Sequence, residues 1–374
     1  MSQDKNKKIK LEKGEAYFNA AARIGDYLYY SAKNTNGLFR ADLKTGKSEF
    51  ITVFDTDREV AIHRFAFTVK NEVWFIPNCL PDRIAILNID SFQLEYLDIP
   101  EPKKERNGWL FMNPIIRGES VWLVPGVYDA LLCLDTRNRT MKKIDLPIDD
   151  YKDYIISQGY EYDEKIYLCP WACNKIFYLD IASEEIQALD VKVEKEMYSN
   201  IVVADYHIYL FPRKSSNDML EINLKDYTCR HRTLGIEDTE TYIEAAYYDS
   251  TGKQIMFFSG VKENCIYIYH MDSFETEQIQ MEYNVASVLC DETRWIDIVK
   301  LSEDTFLVIA TDKSIPILEC HNQVFKTFLL DEPEDLVIRQ LLSMIENKEQ
   351  KREQMKEQGK IGEKIYQVIT SDAP

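Results

Sequence analysis

Through residue 330, apolar and aromatic residues gather in short runs bounded by polar turns, without the three-to-four spacing of an amphipathic helix. The clearest runs are VWFIP (73–77), VWLVP (121–125), IYLCP (166–170) and IYLFP (208–212), each aromatic and β-branched and each stopped by proline. Looser copies are YLYYS (27–31), IMFFS (255–259) and TFLVIA (305–310). Their starting residues, 27, 73, 121, 166, 208, 255 and 305, recur at nearly even intervals. The interval is that of a repeat of roughly 40–50 residues, which is the size of one four-stranded unit.

The segments around each run fill in that unit. Before it lies a short strand, such as NAAARI, RFAFTV, NPIIRG, NIVVAD or EAAYYD. After it come a polar loop and a strand with a recurring tail, seen in GLFRADL, RIAILNID, ALLCLDT, KIFYLDI and MLEINL. A more polar strand follows, as in SEFITV, LEYLDI and EIQALDV, with the period-2 alternation of a half-exposed outer strand. Four strands per copy and seven copies predict an all-β, seven-bladed β-propeller. A β-sandwich or open solenoid accounts less well for a repeat of this length. The expected organisation is a basic arm over residues 1–14, the propeller over 15–330 and a tail over 331–374. Residues 8–13 or the late IYQVIT segment could supply a strand that closes the ring.

The tail opens with a helix-start signal: Asp331 as cap, Pro333 in the first turn and Glu334 three residues after the cap. Val337, Ile338, Leu341, Leu342 and Ile345 recur at helical spacing, so a C-terminal α-helix is predicted to dock an apolar stripe on the propeller. Residues 346–358 are nearly all charged or amide-bearing and read as a solvated extension or an assembly element.

The aromatic strand, loop and "I-x-x-L-D" strand of each repeat resemble those of the kelch-like and galactose-oxidase-like bacterial propellers over residues 15–330. The resemblance implies the fold. It brings no site residues, since the double glycine of kelch repeats and the WD dipeptide are both absent and the chain holds only 13 glycines.

Charge then narrows the ligand. A formal net charge of −18 disfavours a phosphate-binding surface, so no nucleic acid is expected. The basic N-terminus lacks the apolar stretch of a signal peptide, and no run of about 18 apolar residues could cross a membrane. Eight cysteines scattered through strand-like segments read as reduced packing residues in a cytoplasmic protein. Cys169 and Cys173 lack the second pair that structural zinc needs, so no metal or cofactor is implied.

No nucleophile elbow, Walker loop, dinucleotide fingerprint, zincin helix or EF-hand loop is present. Chemistry must therefore be sought where blades converge. Aligning the repeats places one polar residue per blade at the entry to the innermost strand: Asn19, His63 with Arg64, Asn113, Gln158, Asn200, Glu244 and Asp297. An aromatic precedes several of them by two positions, as with Tyr17, Phe111, Tyr198, Tyr242 and Trp295, and Trp171 falls in a loop on the same face. Such a ring would grip a polar small molecule, a sugar, a peptide end or a protein partner. Were it an enzyme, a lyase, hydrolase or isomerase acting on a sugar or modified peptide, His63 would shuttle the proton. Glu244 or Asp297 would be its carboxylate partner, and Arg64 would stabilise an anion. The non-catalytic binding reading is preferred.

Overall fold

In a computed structural model, the described residues are 18–32, 36–56, 62–79, 83–103, 108–147, 156–171, 173–193, 198–213, 218–236, 243–250, 252–259, 265–280, 295–300, 305–310, 317–321 and 324–328. Among the described residues, twenty-eight strands make seven four-stranded antiparallel sheets, each from one stretch of chain. Six are described with their side chains: Phe18–Val53, His63–Leu97, Phe111–Asp145, Ile156–Lys192, Tyr198–Thr233 and Ile243–Gln280. The seventh, Trp295–Phe328, is described by its backbone. They are blades 1 to 7 below.

Within every blade the strands pair in chain order, first to fourth. The first strand of each blade lies against the first strand of the next, and that of blade 7 lies against those of blades 6 and 1. The first strands thus line the axis, and all seven aromatic runs fall in second strands. The predicted tail helix and both candidate closing strands lie outside the described residues.

The burial pattern explains the sequence pattern. A second strand is sandwiched between neighbouring blades on both its faces, so VWFIP, VWLVP, IYLCP and IYLFP are each buried from end to end. Outer strands face solvent on one side, and Thr140–Asp145 alternates accordingly. Hydrophobic cores therefore form between blades. Phe65, Trp74 and Ile86 of blade 2 pack with Phe111, Leu123 and Leu132 of blade 3, and equivalent clusters join blades 1 and 2, 3 and 4, 4 and 5, and 5 and 6.

The recurring aspartate or asparagine that ends the third strand caps the turn beyond it. The side chains of Asp42, Asn88, Asp135 and Asp180 each accept hydrogen bonds from the backbone N–H groups two and three residues on. Those donors favour the ionised form and hold Asp42, Asp135 and Asp180 below the usual carboxylate range. Where first strand meets second, Asp163-Glu164 and Asp205-Tyr206 both have positive φ at each residue, the geometry of a tight hairpin turn.

Candidate binding rim and the ring beneath it

The decisive local feature is a bulge repeated in every first strand. Its register slips by one residue between Phe18 and Ala20, His63 and Phe65, Ile156 and Gln158, Tyr198 and Asn200, Ile243 and Ala245, and Trp295 and Asp297. Blade 3 shows the same slip after Phe111. Because side chains alternate faces along a strand, one extra residue re-aims everything beyond it.

The seven polar positions aligned from sequence thus occupy three different places. His63 stands before the bulge, in register with Phe18, Phe111, Ile156, Tyr198 and Ile243. Asn19, Arg64 and Glu244 are the bulged residues themselves, whereas Asn113, Gln158, Asn200 and Asp297 come one position later. Among the described side chains, His63, Arg64 and the amides Asn113, Gln158 and Asn200 therefore do not share one register position.

His63 departs furthest from expectation. Repeat alignment puts it at the opening, yet it is buried, with 1% of its surface exposed. Its imidazole meets the Phe54 ring edge-on at 4.2 Å and lies 5.4 Å from Phe75. Burial disfavours the imidazolium and lowers its pKa to about 3, so the ring is neutral at physiological pH. A sealed, neutral imidazole is a core residue at the register position that buried Phe111 holds in blade 3 and buried Ile156 in blade 4.

The three amides one step beyond the bulge hold blades together. The Asn113 side chain donates through Nδ2 to the Gly159 carbonyl at 3.0 Å and accepts from the Gly159 N–H at 2.8 Å, pairing with blade 4 as a peptide unit would. The Ile201 N–H of blade 5 donates to Gln158 Oε1 at 3.0 Å. Asn200, itself buried, donates to the Ile243 carbonyl of blade 6 at 2.7 Å. Each amide thus satisfies a backbone group on the next inner strand. Glycine at 159 permits the approach, since an added Cβ would stand 2.5 Å from Val124 Cγ2.

Phe111 and Tyr198 are likewise core aromatics, not a rim. Tyr17 and Tyr242 lie outside the described residues, as do the side chains of Asn19, Glu244, Trp295 and Asp297.

On the surface of that same face, aromatic and cationic groups meet in pairs that bridge blades. The Arg64 guanidinium of blade 2 lies 3.8 Å from the ring centre of Trp109, at the entry to blade 3. The Arg213 guanidinium of blade 5 lies 3.7 Å from that of Trp171 in blade 4. Such pairs contribute about 0.5–1 kcal/mol at exposed sites. Trp109 is 38% exposed and Trp171 half-buried, so both indoles keep surface toward solvent.

The Trp109 backbone is held firmly. The Leu110 N–H donates to the Asn78 carbonyl of blade 2, while Gly126 and Val127 donate to the carbonyls of Leu110 and Trp109. A Cβ at residue 126 would come within 2.3 Å of the Trp109 carbonyl oxygen, which makes glycine necessary there. Trp109 sits in a loop before its blade, where no repeated run marks it. Arg213 carries a positional signal, since it directly follows IYLFP as Trp171 directly follows IYLCP.

The cysteines also divide. Cys169 is buried and its thiol donates to the Tyr198 carbonyl at 3.7 Å, consistent with packing. Cys229 is exposed on an outer strand, contrary to a uniform packing role. Burial raises the thiols of Cys169 and Cys173 above their ordinary range.

Fold and rim together define a β-propeller with an aromatic and cationic edge around its inner-strand entries. No family model and no curated protein matches the sequence. Solved propellers match the structure. Streptogramin B lyase superposes with a TM-score of 0.55 at 13% identity, over 81% of this chain and 92% of that one. YCF48 bound to D1 peptide gives a TM-score of 0.56 at 9% identity, over 80% and 90%. The extracellular domain of a putative one component system from B. thetaiotaomicron gives 0.55 at 10% identity, over 81% of this chain but only 38% of that structure. At these identities the likeness establishes the fold alone.

Proposed function

We propose that this chain is a non-catalytic binding propeller, a ring of seven blades that takes a protein or peptide partner on the face where its inner strands begin. The reading places it in the cytoplasm, in keeping with its scattered free thiols, and keeps the kelch-like pattern as its nearest sequence description. One observation carries it: two partly exposed tryptophans, each capped by an arginine from a neighbouring blade, stand on this face while His63 is sealed within it.

Tryptophan and arginine are the residues that most often dominate protein interfaces, because they bury large area at little entropic cost and pair with carboxylates and carbonyls. Arg64 and Arg213 would meet the carboxylates or carbonyls of an extended peptide, and the two indoles its apolar side chains. Solved neighbours are compatible with partner binding on this fold, one being bound to a peptide.

The test is a photo-crosslinking amino acid placed at position 109 or 171 of the full chain in its native cell, with exposed Asn138 on the other face as control. A discrete protein adduct at 109 and 171 but not at 138 supports the reading. Equal labelling at all three positions contradicts it, and so does a small-molecule or sugar adduct in place of a protein.

A further inference from the structure

The opposite mouth, where first strands turn into second strands, has a different chemistry. Two tyrosines from consecutive blades meet there: Tyr162 ends the inner strand of blade 4 and Tyr206 occupies the turn of blade 5. The Tyr162 and Tyr206 rings stand 6.0 Å apart at 85° to one another, so they form two walls of a corner. The Tyr162 hydroxyl accepts from the Tyr206 N–H at 3.2 Å, which fixes that corner.

The corner already attracts a cation. The Lys225 ammonium, from the outer turn of blade 5, lies over the Tyr206 ring with Nζ 4.3 Å from its centre, yet Tyr206 remains 47% exposed. Ring faces bind ammonium groups through their quadrupole. The protein's net charge of −18 favours the approach of such ligands over long range.

We propose that Tyr162 and Tyr206 form a site for an organic ammonium group. This site is independent of the tryptophan rim, and its ligand is either a free polyamine or a lysine side chain of a partner.

The backbone supplies a clean variant. Tyr206 has a φ of 62°, a conformation that asparagine adopts more readily than tyrosine. Tyr206→Asn should therefore keep or raise the melting temperature while removing one wall. Saturation-transfer NMR on the full chain with tetramethylammonium chloride should show transfer to the N-methyl protons. The signal should fall about fivefold in Tyr206→Asn, persist in Tyr206→Phe and rise in Lys225→Ser, which vacates the ring.

Competition then identifies the source. Displacement at lower concentration by spermidine points to a free polyamine, and by a short lysine peptide to a partner's side chain. An unchanged signal in Tyr206→Asn, a weaker one in Lys225→Ser, or equal displacement by sodium at matched ionic strength overturns the proposal.

Discussion

Blades 3 to 5 and blade 2 treat the same bulge in opposite ways. In blades 3 to 5 the residue beyond it is Asn113, Gln158 or Asn200, and its amide reaches a backbone group on the following inner strand. Blade 2 has Phe65 at that position and gains its attachment from apolar packing, with His63 one step earlier lodged between Phe54 and Phe75. Both devices join neighbouring blades near the axis, one through directed hydrogen bonds and the other through buried area. The lesson is that polarity at this position does not by itself indicate a ligand. A crowded axis leaves backbone groups that no regular sheet pairing reaches, and a short amide at a bulge can reach them.

The hydrogen-bonded half of the comparison is the more sensitive to mutation. Asn200→Ala should lower stability by about 1–3 kcal/mol, because it strands the Ile243 carbonyl in a buried setting. Thermal or denaturant unfolding would read this, and a loss below a few tenths of a kcal/mol would show that the amide is not structural.

The packed half should respond to pH instead. Below pH 6.5 the unfolded chain protonates its histidine at position 63, whereas folded His63 stays neutral down to about pH 3. Stability should therefore fall as pH drops through that window, by at most about 1.4 kcal/mol per unit. His63→Phe, matching the residue at the same register in blades 1 and 3, should flatten the curve between pH 7 and 5. A slope unaltered by the substitution would mean that His63 is solvated.

These two halves also show how far sequence reasoning reached. The propeller and its strand order were legible because VWFIP, VWLVP, IYLCP and IYLFP are buried on both sides, and such runs repeat without interruption. The candidate site was less legible for a definite reason. A one-residue bulge reverses the inside–outside alternation, and nothing in the composition of FNAAARI or HRFAFTV marks where it falls. Polar residues that lined up by counting, such as His63, Arg64 and Asn200, therefore sit at successive register positions with different surroundings. Trp171 was found because it follows a recognisable run. Trp109 and Tyr206 owe their roles to loop geometry that emerges only when blades are side by side.

The central claim is that inner-strand amides bind the ring to itself and leave recognition to the surface rim. Amide hydrogen exchange at Gly159 and Ile201 tests it most directly, since their N–H groups donate to Asn113 Oδ1 and Gln158 Oε1. Both should exchange as slowly as the core strands, with Asn113→Ala releasing Gly159 and Gln158→Ala releasing Ile201. Rapid exchange at both sites in the unmodified protein would instead mean that these side chains face an open, solvated mouth.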